Sequence, residues 1–254
     1  YFFNYGSLPI YLLKAVSQIL DRADYQGMLY IGRYLSISFD LLTIIVIYKI
    51  VRLLFKNEKV ALFSSFFYAI AFFPIQNSHF FTVDTLFTFL TTLLLYQLLV
   101  YIKNPSTKRT LVIGGIFAAL LATKFTAIIF LPIILFIVFI KKSFLSSIYS
   151  LSSIVFFTFL FMPYAFLDFP KFWSDISAQL TMSRNPYIFP YTLQYVGTIP
   201  YVYYLKNIFL WGLGPIISIF SMIGLIVLLF NCYIVKRNSR VIEESNHFRI
   251  IIVL

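Results

Sequence analysis

The stretch "IIFLPIILFIVFI" (Ile128–Ile140) decides the fold class, because every position in it is apolar or proline. A strand of a membrane β-barrel would instead alternate apolar and polar residues. Apolar runs long enough to approach the thickness of a hydrocarbon core recur along the whole chain. The chain is 61% hydrophobic and 11% charged, whereas soluble domains are about 25% charged. The sequence therefore predicts an all-α integral membrane protein, a polytopic bundle of transmembrane helices.

The apolar runs predict seven spans and the start of an eighth. They lie near residues 29–50, 60–75, 85–102, 110–123, 125–140, 144–163 and 208–231, and the eighth begins near 248.

The run 110–140 is the ambiguous one, because a single helix over it would be about 46 Å long and a hydrocarbon core is about 30 Å thick. One helix would also place Lys124 in the middle of the membrane. If the run crosses twice, twelve Lys and Arg residues fall on one face of the membrane and seven on the other. Because basic residues concentrate in short cytoplasmic loops, we predict two short crossings that turn at "ATKFTA" (122–127) on the outer face.

The formal charge of +11 fits the same topology. In a soluble protein such a charge would suggest nucleic acid. Here the basic residues mark the cytoplasmic ends of helices, so the bilayer is the expected partner and nucleic acid is not.

The remaining polar segments are expected on the extracytoplasmic face. Residues 1–28 form an outer segment in which Ile10, Leu13, Val16 and Leu20 follow helical spacing, and the run is too short to span, so it predicts an interfacial helix. An outer loop at 164–207, rich in proline and aromatic residues, is expected to cap the bundle at the lipid–water boundary.

We treat residues 1–254 as one transmembrane domain, with the helix bundle at 29–163 and further helices at 208–254. The sequence begins at Tyr1 without Met and stops within the hydrophobic run "RIIIVL". It is therefore expected to be a fragment truncated at both ends.

The stretch "SHFFTVDTL" (Ser78–Leu86) holds His79 and Asp84, the only ionisable residues between Phe72 and Leu95. Asp84 is expected either to cap the helix 85–102, a role that Thr82 could also serve, or to act as a site carboxylate. His79 is either an interfacial histidine with satisfied hydrogen bonds or a second site residue. The sequence alone leaves both pairs of readings open.

Two other places hold polar residues that need an explanation. Arg33, Ser36 and Asp40 share one face of the first predicted span. A carboxylate there costs about 2.5–3.5 kcal/mol on insertion scales, so Asp40 belongs either to a polar seam within the bundle or to the site. Lys124 either snorkels to the interface or binds a phosphate at the outer turn.

The chain lacks the motifs of soluble nucleotide chemistry and of a defined metal site. It contains no Walker loop, no GxGxxG, no CxxC and no histidine cluster with ligand spacing. We predict no certain cofactor and no metal ligands, and a divalent metal stays open.

Five segments, taken in order, resemble a known group of membrane enzymes. They are "FFNYGSLPIYLLKA", "GRYLSISFD", "SHFFTVDTLFTFLTTLLLY", "LATKFTAIIFLP" and "PYTLQYVGTIPYVYYLKNIFLWGLGP". Together they resemble the polytopic glycosyltransferases of the GT-C fold, in particular the protein O-mannosyltransferase-like or ArnT/RgtA-like family.

The resemblance implies a reaction. Such enzymes move a sugar, a mannose-like hexose or a pentose, from a polyprenyl-phosphate carrier to a protein, lipid or glycan acceptor at the extracytoplasmic face of the cell membrane, typically with inversion. Their main base is an acidic residue in the first outer loop, which would lie before Tyr1, so the fragment alone is expected to be inactive.

The resemblance also implies residue roles. Asp84 matches the second acidic position, with His79 beside it, and Lys124 matches a position for the carrier phosphate, to which Arg33 and Arg184 could contribute. Gln194 and Tyr195 could belong to a lid that excludes water from the sugar.

Three alternatives remain from the sequence. A transporter or lipid flippase would also bury charges in a bundle, but it predicts internal repeats and broken helices. An oligosaccharide polymerase or ligase would share the topology. A non-catalytic membrane scaffold gives no reason for charges to gather at one face.

Overall fold

The computed structural model describes residues 5–237, and their side chains except at positions 183, 184 and 232–237. All regular structure in this part of the chain is helical, which confirms the predicted fold class. The α-helices are α1 Leu8–Ile19, α2 Tyr25–Phe55, α3 Glu58–Ala69, α4 Phe72–Ser78, α5 Val83–Lys103, α6 Thr107–Leu121, α7 Leu131–Lys141, α8 Phe144–Phe161, α9 Tyr164–Leu167, α10 Phe169–Arg184, α11 Val202–Asn207 and α12 Pro215–Arg237. Shorter turns of 3-10 helix (Phe125–Phe130 and Pro190–Tyr195) and of π-helix (Ile208–Gly212) connect them. The predicted eighth span near residue 248 lies outside the described residues.

Within these bounds, α5 and α8 are long and apolar enough by themselves to cross a membrane. A third candidate is the pair α3 and α4, which is bent by 60°. The span predicted near 60–75 is thus divided between two helices, and as a membrane crossing it stays a prediction. Pro74 explains the break, because its ring would clash with the carbonyl of Ile70 if the helix continued through that position. The other predicted spans coincide with helices and stay predictions as membrane crossings.

The chain folds into two compact units, one of residues up to Val46 with Gln76–Thr198, the other of Ile47–Ile75 with residues from Ile199 onward. In the second unit, the Asn57 side chain caps α3 by accepting from the Lys59 and Val60 amides. The Phe67 ring stacks on Phe220 at 6.2 Å. The candidate residues from His79 to Lys124 all belong to the first unit.

The ambiguous run 110–140 is two antiparallel segments. Helix α6 ends at Leu121, and the chain turns before α7 begins at Leu131. At the far end of α7, Lys142 Nζ donates to Thr107 Oγ1 at 2.5 Å, so the end of α7 lies beside the start of α6. This confirms the predicted reversal at "ATKFTA". We call the two ends of this bundle the Lys124 end and the Lys142 end.

Helix α8 packs against α6 through small side chains. A methyl group on Gly114 would lie 2.7 Å from both Cβ and Oγ of Ser153, so only glycine permits this approach. The Ser153 hydroxyl also donates to the carbonyl of Leu111 at 2.9 Å. Close packing through glycine and serine is typical of helix pairs in membranes, because no hydrophobic effect drives such helices together and contact area must do so.

Helix α8 buries polar side chains and exposes apolar ones, which is the opposite of a surface helix in a soluble protein. Its serines at 146, 147, 150 and 153 are buried, whereas the rings of Phe156 and Phe159 are exposed. In water an exposed phenylalanine forgoes about 1.5–3 kcal/mol of burial free energy. Lipid tails are as apolar as these rings, so the arrangement is stable only if this face contacts lipid.

The interfacial helix predicted within residues 1–28 corresponds to α1. The residues on its buried side are not those that the helical spacing of apolar residues predicted. Leu8 and Leu12 pack against the core, while Ile10 and Leu20 are exposed. The chain then enters α2 through Asp24, whose carboxylate accepts from the Gly27 amide at 2.9 Å. This hydrogen bond holds the pKa of Asp24 below its usual value.

The α6–α8 contact predicts that two neighbouring glycines respond oppositely to the same change. Gly114→Ala should destabilise the bundle by about 1–3 kcal/mol, because the added methyl overpacks against Ser153. Gly115→Ala meets only the Phe157 ring at 3.4 Å and should be neutral or stabilising by up to about 1 kcal/mol, the helix propensity of alanine over glycine. Thermal unfolding in detergent measures both, and equal midpoints for the two variants would contradict the packing described.

Candidate active site

Asp84 lies in the first turn of α5, at the Lys124 end. The helix begins at Val83, with Thr82 in the extended N-cap position but without a side-chain cap bond. The predicted helix start at residue 85 and the capping role of Asp84 are therefore wrong, because the helix takes in two more residues. A carboxylate in a first helical turn is stabilised by the positive end of the helix dipole, and its oxygens stay available for other partners.

Lys124 is held at the reversal between α6 and the 3-10 turn Phe125–Phe130. Its amide donates to the Leu120 carbonyl at 2.8 Å, and its own carbonyl accepts from Ala127 at 3.0 Å. Its backbone is extended at this point (φ −152°), which ends one helical segment before the next starts.

The structure brings Lys124 and Asp84 together. Lys124 Nζ donates to Asp84 Oδ1 at 3.2 Å, and the two side chains remain 35% and 47% exposed. The Lys124 ammonium also lies 5.9 Å from the centre of the Phe87 ring, within range of a cation–π contact. A solvent-accessible ion pair contributes at most about 1 kcal/mol to stability, so folding alone gives little reason for this pair.

On one side, the turn that carries Lys124 is clamped by the segment before α1. The Gly6 amide donates to the Thr123 carbonyl and the Leu8 amide to the Ala122 carbonyl, both at 3.0 Å. A Cβ on Gly6 would lie 1.8 Å from the Ala122 oxygen. Only glycine allows this approach, so two of the five recognised sequence segments meet here through their backbones.

On the other side, α2 packs against the start of α5. Thr85 Oγ1 donates to Ser36 Oγ at 3.2 Å in a buried contact. A Cβ on Gly32 would lie 2.8 Å from the Phe81 side chain. These contacts place the segment "GRYLSISFD" next to Asp84.

Arg33 and Asp40 flank Ser36 on α2 and are both half-buried. Arg33 lies one helical turn from Ser36, and it forms no ion pair with Asp84 in the described part of the chain. Asp40 has interaction partners within the protein, which agrees with a polar seam without assigning it a role in the site.

The other predicted site residues lie on other segments of the chain. His79 is exposed after the end of α4. Gln194 and Tyr195 are exposed on the 3-10 turn Pro190–Tyr195. Arg184 is the last residue of α10, and its side chain lies outside the part of the chain that the structure describes.

Sequence reasoning gave no role to two residues that shape the site. Phe87 follows Asp84 by three positions, so helical spacing alone could have placed both beside Lys124. Gly6 stands in the first recognised segment, but no local signal shows that its backbone contacts a turn more than one hundred residues away.

The same helix bundle has an open apolar groove of about 380 Å³. It lies between α5, α6 and α8, and its lining includes Leu90, Ile116, Ala119 and Phe161. Leu90 is six residues after Asp84, about 9 Å along α5. Neither Asp84 nor Lys124 is among the residues that line this groove. Among the described residues, no three His, Cys, Asp or Glu side chains form a group that could hold a metal ion.

Because Gly6 contacts the Ala122 carbonyl so closely, Gly6→Ala should detach the segment before α1 from the Lys124 turn. We expect a lower unfolding midpoint and faster proteolytic cleavage before α1, since both clamp hydrogen bonds would lengthen. Gly224→Ala is the matched control, because no atom lies within 4 Å of the added methyl. A Gly6→Ala variant as stable and as protease-resistant as this control would disprove the clamp.

Comparison with known proteins gives one match. The family model described as dolichyl-phosphate-mannose-protein mannosyltransferase matches residues 8–166. No curated protein and no solved structure matches the chain. The matched region covers more than half of the sequence and contains Arg33, His79, Asp84 and Lys124. The chain therefore belongs to the dolichyl-phosphate-mannose-protein mannosyltransferase family of membrane glycosyltransferases.

Proposed function

We propose that this protein transfers a mannose-like hexose or a pentose from a polyprenyl-phosphate carrier to an acceptor hydroxyl at the extracytoplasmic face, with inversion. The observation that carries the proposal is the solvent-accessible ion pair of Lys124 and Asp84, in a bundle that also has an open apolar groove between α5, α6 and α8. The groove suits the isoprenoid chain nearest the phosphate, and the accessible pair suits the phosphate and the sugar.

Lys124 is the proposed phosphate ligand. Its ammonium has three donors, and Asp84 occupies one of them, which leaves two for phosphate oxygens. A carrier phosphate is already a fair leaving group, so the reaction requires stabilisation of negative charge more than protonation. Arg33 and Arg184 are proposed as further cations around the phosphate.

The distance within the pair limits what Asp84 can do. In an in-line inverting reaction, the base and the group that stabilises the leaving oxygen stand on opposite sides of the anomeric carbon. Catalytic groups that flank a glycosidic bond in this way are about 6.5–9.5 Å apart. Asp84 Oδ1 is only 3.2 Å from Lys124 Nζ, so Asp84 does not serve as the in-line base while Lys124 holds the phosphate.

We therefore assign Asp84 a positioning role and the in-line base to another carboxylate. Asp84 Oδ1 orients the ammonium of Lys124, and Oδ2 can accept a hydrogen bond from a sugar hydroxyl. The exposed ring of His79, five residues earlier, is proposed as a second hydrogen-bonding group for the sugar or acceptor.

Gln194 and Tyr195 are proposed to cover the bound sugar. Their turn is internally braced, because Thr192 is buried and its hydroxyl donates to the Pro186 carbonyl at 2.6 Å. A braced turn with exposed Gln and Tyr side chains could exclude water that would otherwise hydrolyse the donor.

The bent pair α3 and α4 is a feature that a transporter also predicts. The bend lies inside the region that matches the mannosyltransferase family, so it is better explained as part of that family's fold.

Lys124→Gln should lower transfer by about 10²–10³-fold, the usual effect of removing one preorganised charge-stabilising donor. The assay uses the full-length protein with a radiolabelled polyprenyl-phosphate mannose and measures initial rates. Arg52→Gln is the control, since it removes the cation of another exposed ion pair, with Glu58 at 2.9 Å, outside the site. Unchanged transfer by Lys124→Gln would refute the phosphate role.

A double-mutant cycle tests the positioning role of Asp84. If Asp84 acts through Lys124, Asp84→Asn should add no further loss in a Lys124→Gln background, because the group it orients is already absent. An independent base would instead multiply the two losses. Measurement of kcat and KM for the single and double variants separates these outcomes.

A further inference from the structure

The Lys142 end of the bundle carries a concentrated positive charge that the proposed reaction does not use. We call it the basic patch, defined by five residues on α5, α6, α7 and the turn after α7: Lys103, Lys108, Arg109, Lys141 and Lys142. The hydrogen bond from Lys142 to Thr107 joins the turn after α7 to the start of α6. Tyr101 Oη, which approaches the Val138 carbonyl at 3.5 Å, ties the end of α5 to α7.

The sequence around the patch supplies no acidic residue. From Thr85 to Leu167 the chain contains no Asp or Glu. The Lys108, Lys141 and Lys142 side chains are exposed, and Lys103 and Arg109 are partly exposed. Like charges so close together repel each other, so the patch favours a bound anion.

Helix termini of both polarities meet at this end of the bundle. Lys108 and Arg109 lie in the first turn of α6, which has no acidic residue. Cations are unfavourable at a helix N-terminus, because the backbone amides already create a partial positive charge there. Helix α8 also starts at this end, directly after Lys142. The C-termini of α5 and α7 lie at this end as well, with Lys103 and Lys141 in their last turns, and contribute the opposite partial charge. The preference for an anion therefore rests on the five cations themselves.

The immediate neighbours of the patch identify the kind of anion. Phe139 and Ile140 before the Lys141–Lys142 pair, and Phe144 and Leu145 after it, are each more than half exposed. Cations bracketed by exposed apolar side chains match a ligand with an anionic head and hydrocarbon tails. A soluble anion would use the lysines and leave these four apolar side chains without a partner.

We propose that the basic patch binds the phosphodiester headgroup of an anionic phospholipid, with its acyl chains along the exposed apolar side chains beside it. Two cations are already held in place, which lowers the entropy that binding must overcome. Arg109 donates through Nη1 to the Asn104 carbonyl, and Lys142 donates to Thr107. Both keep further N–H donors for phosphate oxygens.

The experiment measures retention of phosphatidylglycerol by the full-length protein in detergent, using native mass spectrometry and unfolding midpoints during lipid titration. Phosphatidylcholine is the neutral comparison lipid. Each cation at an anionic membrane surface strengthens binding about fivefold, so Lys108→Gln/Lys141→Gln/Lys142→Gln should weaken binding by about a hundredfold. Lys14→Gln, an exposed lysine on α1, is the matched control and should bind as the wild type does.

Two further measurements test the proposal independently of the triple variant. For the wild-type protein, binding of phosphatidylglycerol should fall steeply with added salt, a measurement that needs no variant to fold. Soluble glycerophosphoglycerol, which has the headgroup without tails, should stabilise the protein far less than the lipid. Equal binding of the two lipids, undiminished binding by the triple variant, or equal stabilisation by the soluble headgroup would each overturn the proposal.

Discussion

The reversal at Ala122–Lys124 is the constraint on which the rest of the first unit depends. A continuous apolar helix from residue 110 to 140 would exceed the thickness of a bilayer and leave a lysine in hydrocarbon. Because the chain turns instead, Lys124 reaches an accessible position where Asp84 can pair with it. The same reversal places the start of α6 beside the end of α7. The candidate site at one end and the basic patch at the other are two results of one turn.

The turn is held by contacts that differ in kind. Its backbone carbonyls accept hydrogen bonds from the segment before α1. Its outer surface contacts α10, because the Phe125 ring meets Phe172 edge-on at 5.4 Å. Gly6 and Gly114 each stand where a methyl group would overlap a neighbour. The bundle is thus assembled by close backbone approach, as expected where lipid removes the hydrophobic effect as a force between helices.

The sequence predicted much of this arrangement because its strongest signals are long-range regularities. Apolar runs fixed the helices, and the distribution of basic residues fixed the reversal that brings Lys124 to Asp84. Hydropathy marked 60–75 as one apolar run and gave no sign of the 60° bend between α3 and α4. It also placed the start of α5 two residues too late, which left an N-cap role open for Asp84. The contact of Gly6 with Ala122 could not be predicted, because it joins segments that are distant in sequence. A contact between backbones also produces no periodic pattern of side chains.

The 3.2 Å separation of Asp84 and Lys124 has a consequence for turnover under the proposed assignment. The donor is a phosphodiester with one negative charge, and transfer of the sugar leaves a phosphate monoester with about 1.5–2 charges near neutral pH. A lone lysine would bind that more highly charged product more tightly than the donor. The carboxylate beside Lys124 repels the extra charge, so the same residue that orients the cation also weakens retention of the spent carrier. The pair would then serve product release as much as substrate binding.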